Sequence, residues 1–185
     1  MEFTLYYRGE LKANGNAKDK HSLRKHFHRQ LRNLWSQLPL VDFGHLLTPR
    51  TPDKPLGVVR ELSGFRFVPL VAENVHLVAE LEITLLRPEL PGRILTSGGD
   101  IDNRMKTFLD SLKVPSEPTA LPSGARPDAD EDPFYCLLED DALITKLSIH
   151  TDRLLEPGVR SGEVVLLMVV RTKQLRVVID TVGLA

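Results

Sequence analysis

The densest run of chemically capable side chains is Asp100-Ile-Asp102-Asn103-Arg-Met-Lys106-Thr-Phe-Leu-Asp110, followed later by Glu139-Asp140-Asp141. Carboxylates set this closely repel one another, and a divalent cation removes that penalty. Oxygen-only donors select magnesium, manganese or calcium over zinc. Magnesium keeps several waters and takes few protein carboxylates, which leaves positions open for phosphate oxygens. Lys106 stands one helical turn after Asp102, so its ammonium can share that helix face and steady phosphate charge or a developing hydroxide. A structural role competes with this chemistry. Asp100 and Asp102 follow Gly98-Gly99 at a helix start, where a carboxylate accepts the first N–H groups and complements the dipole for about 0.5–2 kcal/mol. Lys106 is then only one half of an Asp–Lys helix pair. Capping accounts for one aspartate better than for two.

Two other readings of the run fail on spacing. An EF-hand loop from Asp100 needs Gly at its sixth position and Glu at its twelfth, where this chain has Met105 and Ser111. A phosphotransferase with an Asp-x-Asp nucleophile wants a buried apolar strand directly before it, and Thr96-Ser97-Gly98-Gly99 is not one.

The elements that must position these groups follow from periodicity. Phe3, Leu5 and Tyr7 alternate with polar neighbours and predict a strand. Asn14-Gly15 marks a turn. Leu23, Phe27, Leu31, Leu34, Trp35 and Leu38 form a helical stripe that Pro39 ends, with Ser22 or Asp19 as its cap. Residues 39–66 read as a long irregular insertion, with a strand near Phe65 to Val71. Val75 to Leu85 alternates as a strand. Ile101, Met105, Phe108, Leu109 and Leu112 give the apolar face of a second helix over 103–113. Residues 114–133 hold five prolines and an acidic run, which predicts a mobile surface loop within an insertion near 114–135. Leu143 to Ile149 alternates as a strand. Glu163 to Arg171 is nearly all apolar, as in a central strand buried on both faces. Leu175 to Ile179 is an edge strand or tail. The order β-α-β-α-β-β has too few helices to cover both faces of a doubly wound sheet. An α+β fold with a single mixed β-sheet and two main helices, one domain over 1–185, is the expectation.

With its element context, the run Asp100-x-Asp102-Asn103-x-x-Lys106-x-x-x-Asp110-x-Leu112, with Leu138-Glu-Asp140-Asp141-Ala142 entering a strand, resembles the RusA family of Holliday junction resolvases. The resemblance covers roughly residues 100–150. It implies a RusA-like fold and a homodimeric, magnesium-dependent endonuclease, with manganese as a substitute, that nicks branched DNA such as the four-way junction in recombination and repair. Metal ligands would be Asp100, Asp102 and Asp141, and the catalytic lysine Lys106. Asp140 matches the first acid of the family's acidic pair and is a further candidate metal ligand. The chain departs from the family in its two insertions. The family's amino-terminal Pro-Pro-Ser-x-Asn-like turn is represented at most by Lys12-Ala13-Asn14-Gly15-Asn16.

The formal net charge of the 185 residues is −1, which excludes a protein that coats nucleic acid through overall charge. One stretch differs. From Arg8 to Arg32 eight Lys and Arg face only Glu10 and Asp19. Lys12, Lys18, Lys20, Arg24, Lys25, Arg29 and Arg32 are the candidates for phosphate contacts, against the alternative of a solvated helix face. His21, His26 and His28 do not share one helix face and are not expected to bind metal. Trp35 and Phe27 are expected in the core. Cys136 is the one cysteine, so an intramolecular disulfide and a cysteine-based zinc cluster are excluded. It is expected to behave as a small hydrophobe. The longest apolar run, Val164 to Val170, is seven residues, far below the roughly 20 that span a bilayer. MEFTLYYRGELK lacks the basic-then-apolar order of a signal peptide. The expectation is a soluble, cytoplasmic protein without a membrane partner. The function classes left open are this nuclease, a metal nuclease on another nucleic-acid structure, and a non-catalytic DNA-binding module.

Overall fold

The computed structural model describes residues 1–89, 101–160 and 162–184. In chain order its main elements are β1 (Glu2–Glu10), α1 (Ala17–Trp35), β2 (Arg60–Leu62), β3 (Phe65–Val71), β4 (Leu77–Arg87), α2 (Ile101–Leu112), β5 (Phe134–Leu138), β6 (Ile144–Arg153) and β7 (Glu163–Gln174). The α+β class is as the periodicities predict. The strands form two sheets instead of one. The larger runs β1-β7-β4-β6 and the smaller β2-β3-β5. In the larger, β7 is antiparallel to both neighbours, with Met168 opposite Leu5 on one side and Ile83 on the other. Strand β6 runs parallel to β4. In the smaller, β3 and β5 are parallel and register Phe67 with Phe134. Alternation announces a strand but not its partner, so the second sheet was not legible.

Both helices pack on the inward face of the large sheet. Leu81, Ile83, Leu85, Leu166, Met168 and Val170 are buried there against Leu23, Phe27 and Leu31 of α1 and Met105, Phe108 and Leu112 of α2. Burial at about 25 cal/mol per Å² of apolar surface drives this layer. Phe27 and Phe108 meet edge to face with centroids 5.6 Å apart and join the helices. A smaller cluster of Phe65, Phe67, Val114, Leu121, Phe134 and Cys136 lies on the small sheet. Burial pushes the Cys136 thiol up to about 12, so it is an inert hydrophobe as expected.

Helix α1 begins six residues before its apolar stripe. Asn16 is the cap, and Asp19 returns a bond to the Asn16 N–H in a capping box. Asp19 therefore lies inside the first turn, and Ser22 lies further along the helix. Asn14 takes the left-handed conformation at φ 54°, as its turn requires. The next residue, Gly15, touches α2: its N–H donates to Thr107 Oγ1 at 2.8 Å. A Cβ there would stand 2.6 Å from Thr107 Cγ2, so only glycine permits the approach.

Three further expectations change. The 114–133 segment is not a loose loop. Leu121 and Glu131 are buried, and Lys25 of α1 pairs with Asp128 and Glu131 at 2.8 Å each. The prolines and acids that read as a solvated loop instead strap α1. Strand β7 is central but buries one face only. Leu167 on its other face is 40% exposed. The tail from Leu175 adds no strand, and Leu175, Val177 and Ile179 are exposed. Among the described residues no helix is long and apolar enough to cross a membrane.

Candidate active site

Helix α2 sets the first part of the site. Its apolar residues Ile101, Met105, Phe108 and Leu112 are buried, and the opposite face is turned to solvent. Asp102 and Lys106, four residues apart, are both exposed on that free face. Asp102 Oδ1 accepts the Asn103 N–H at 2.8 Å. Among the described residues neither Asp102 nor Lys106 is spent on an ion pair, so the Asp–Lys helix pair of the structural reading does not form. Asp100 lies outside the described residues.

The second part sits at the other end of α2. Lys113, just past the helix, places its ammonium 2.8 Å from Asp141 Oδ2 and 3.7 Å from Asp110 Oδ1. Asp110 also holds Lys20 at 2.7 Å. The hydrogen bond from Lys113 keeps the Asp141 carboxyl below its usual 3.8. Burial works against the Lys113 charge, but Asp141, Asp110 and Asp140 outweigh it and leave its pKa raised. Asp140 caps the short turn before β6 and accepts the Ala142 N–H at 2.9 Å. Its neighbour Glu139 is structural. It accepts from Arg60 at 2.9 and 2.5 Å and from the Glu73 N–H at 3.0 Å. A cleft of about 880 Å³ opens beside this end, with Arg60, Val78, Lys113, Glu139, Asp140 and Thr145 in its wall.

The two ends do not form one centre. Asp102 precedes Asp110 by eight residues, roughly 12 Å of helix axis at about 1.5 Å per residue. Asp141 shares its lysine with Asp110, not with Asp102. Among the described residues no three His, Cys, Asp or Glu side chains converge to hold a metal ion. The donors that do exist are carboxylate oxygens, and an exposed aspartate such as Asp102 suits a magnesium ion that keeps most of its waters. They do not make a three-carboxylate cage.

The basic stretch is mostly used inside the protein. Arg24 is 2% exposed. Its Nε donates to the Lys113 carbonyl and its Nη2 to the Asp110 carbonyl, both at 3.2 Å. A cation on the unsatisfied carbonyls of a helix C-terminus is favourable twice over, by hydrogen bonds and by the dipole. Arg24 is thus a clamp between α1 and α2, and its assignment as a phosphate contact is corrected. Lys20 pairs with Asp110, Lys25 with Asp128 and Glu131, and Lys12 with Asp19 at 2.9 Å. Arg32 is exposed and reaches the Asp130 carbonyl at 3.2 Å. Among the described residues, Lys18 and Arg29 are the exposed basic residues of α1 left without such a partner. His21 and His28 are buried beside Phe134. His28 Nδ1 accepts the Tyr135 N–H at 2.9 Å and its Nε2 meets the Asp130 carbonyl at 3.0 Å. They are core residues.

Comparison with known proteins finds no family model, no curated protein and no solved structure that matches the chain. The functional reading therefore stands on these residues and their placement.

Proposed function

We propose that this chain is a magnesium-dependent endonuclease that cuts branched DNA, of the RusA type. The observation that carries the reading is the free face of α2. It presents Asp102 and Lys106 to solvent one turn apart, with neither committed to an ion pair among the described residues. A structural Asp–Lys pair would be joined, whereas a site for a polyanion and its metal keeps both groups available. The acidic pair Asp140-Asp141 entering β6 supports the same motif. Asp102, with Asp100 beside it in sequence, would hold the ion. Asp141, held by Lys113 at the other end of α2, stands apart from this pair. Bound there, magnesium supplies charge neutralisation of the scissile phosphate and a water of lowered pKa. Lys106 adds a fixed positive charge where negative charge develops. Lys18, Arg29 and Arg32 give sequence-independent phosphate affinity. Two cuts across a four-way junction call for two copies.

The separation of Asp102 from Asp141 along α2 favours a second reading, a DNA-binding module in which the acids only hold the fold. Incubation of the purified chain with four-way junction, duplex and single-stranded DNA, with and without magnesium, separates the two. The proposal expects magnesium-dependent nicks in the junction. Binding without cutting on all three substrates would establish the second reading.

A further inference from the structure

Where the start of α1 meets the end of α2, the fold leaves a cavity of about 280 Å³, and its charges do not balance. Lys20, Arg24 and Lys113 are in the lining, and Asp110 is the one carboxylate there. Asp110 holds Lys20 at 2.7 Å and Lys113 at 3.7 Å. Lys113 also has Asp141, which stands outside the lining. With Asp141 counted, one positive charge is still left over, and it belongs to Arg24. That buried guanidinium forms no ion pair among the described residues. Its contacts are the Lys113 and Asp110 carbonyls and His21 Nδ1. His21, pushed down to about 4, is uncharged at neutral pH, and Cys136, pushed up to about 12, keeps its proton. Asp110, whose charge reaches Arg24, is already shared by two lysines. A buried cation without a counter-charge is unfavourable, and an anion in the cavity relieves it. The walls are also set to donate. Ala17 lies in the first turn of α1, where N–H groups lack helix partners and the dipole is positive. Ser116 and Thr119 line the opposite wall, exposed, and their hydroxyls hold no bond among the described residues.

We propose that this cavity binds a phosphate monoester, the terminal phosphate of a nucleic-acid strand or of a free sugar phosphate. Charge and donor count select the class. A monoester brings a charge of about −1.5 to −2 at neutral pH and three terminal oxygens. A diester brings a single charge and two such oxygens, and a carboxylate a single charge in one plane. Lys20 and Lys113 already converge on Asp110 and can turn from it to the phosphate. Ser116, Thr119 and the first turn of α1 supply neutral donors. Arg24 acts from behind through its charge, because its N–H groups are committed to carbonyls.

The site does not rest on the nuclease reading, because it lies at the Asp110 end of α2, away from Asp102 and Lys106, and binds without magnesium or cleavage. NMR titration of the nitrogen-labelled full chain without magnesium tests it. The probes are ribose 5-phosphate and thymidine dinucleotides with a 5′-phosphate, a 3′-phosphate or no terminal phosphate. The Gly15 and Ala17 amide signals should move with every monoester and stay in place with the dinucleotide that has only its diester. Equal affinity for ribose 5-phosphate and the phosphorylated dinucleotides assigns the site to free sugar phosphates, and tighter dinucleotide binding assigns it to a strand end. Lys20→Gln and Lys113→Gln should each raise the dissociation constant on the order of tenfold. Thr119→Val, at an exposed position that the core does not use, should weaken binding in the same direction even if a lysine variant fails to fold. Lys54→Gln, exposed and outside the lining, should bind as wild type does. Gly15 and Ala17 signals that stay in place with every monoester at millimolar concentration overturn the proposal. So does equal binding of the dinucleotide without a terminal phosphate, and so does wild-type affinity in both Lys20→Gln and Thr119→Val.

Discussion

Replacing Arg24 with alanine removes a buried cation that ties α1 to the end of α2. It donates to the Lys113 and Asp110 carbonyls at 3.2 Å each, and its Nη1 lies 3.5 Å from His21 Nδ1. A bond from a charged donor contributes about 1.5–3 kcal/mol, and an orphaned buried acceptor costs about 1–3 kcal/mol. Against this, the variant no longer bears the cost of burying a guanidinium, which is several kcal/mol. The net expectation is a loss of about 2–4 kcal/mol. In a domain of this size each kcal/mol moves Tm by about 2–4 °C, so the melt should fall by roughly 10 °C. Urea unfolding followed by far-UV circular dichroism reads the free energy directly. Arg29→Ala is the control, since an exposed position changes stability by less than about 0.5 kcal/mol. DNA binding separates the roles further. Lys18→Ala with Arg29→Ala should flatten the salt dependence of binding by about one to two units of slope, while folded Arg24→Ala should leave the slope alone. An Arg24→Ala protein within about 0.5 kcal/mol of wild type, or one with a reduced salt slope, would refute the clamp.

Three other outcomes follow from the same geometry. Asp141→Asn removes the ion pair with Lys113, and because Asp141 is largely exposed the loss is below about 1 kcal/mol at neutral pH. Its carboxyl is held below 3.8 in the fold, so that stability is present above the unfolded value and lost as pH falls through the folded one; the wild-type and variant acid melts should converge below about pH 4. His21 is pushed down from 6.5 to about 4, first by burial and then by Arg24 and Lys25. Protonating it therefore favours unfolding, and stability should fall between pH 6.5 and about 4. An NMR titration of the His21 ring that moves near pH 6.5 would contradict this. Lys106→Gln should change stability by less than about 0.5 kcal/mol and slow single-turnover cleavage on the order of a hundredfold. Cleavage within a few-fold of wild type would make the lysine incidental.

The parts of the fold that depend on local periodicity were legible in the sequence. Leu5 and Met168 mark their strands by alternation, and Met105 and Phe108 mark the buried face of α2. What lay hidden depends on contacts between distant segments. Nothing in FRFVPLV tells that β3 leaves the large sheet to pair with β5. Arg24 read as surface charge because arginine usually is. The signal was its place on a second ridge of α1: His21, Arg24, His28, Leu31 and Trp35 recur at helical spacing and are all buried. A helix buried along two ridges lies between two layers, and polar members of the second ridge must find partners there. The motif itself is read from the sequence, and the structure adds that Asp102 and Lys106 are exposed on α2. Its assembly was not, because the sequence does not reveal that Lys113 draws Asp141 to the far end of the helix.

The central claim is that the exposed face of α2 performs metal-dependent phosphodiester cleavage, and Asp102 is its most direct probe. Asp102→Asn deletes one charge from a solvent-exposed position and keeps an oxygen for the Asn103 N–H. The measurement is single-turnover nicking of a four-way junction at saturating protein and magnesium, which removes binding from the readout. Wild type should nick the junction, and Asp102→Asn should bind it equally well while losing at least about a hundredfold in rate, on the scale of one removed electrostatic contact in a transition state. Equal rates for the two proteins, or no magnesium-dependent nicking by wild type, would contradict the account.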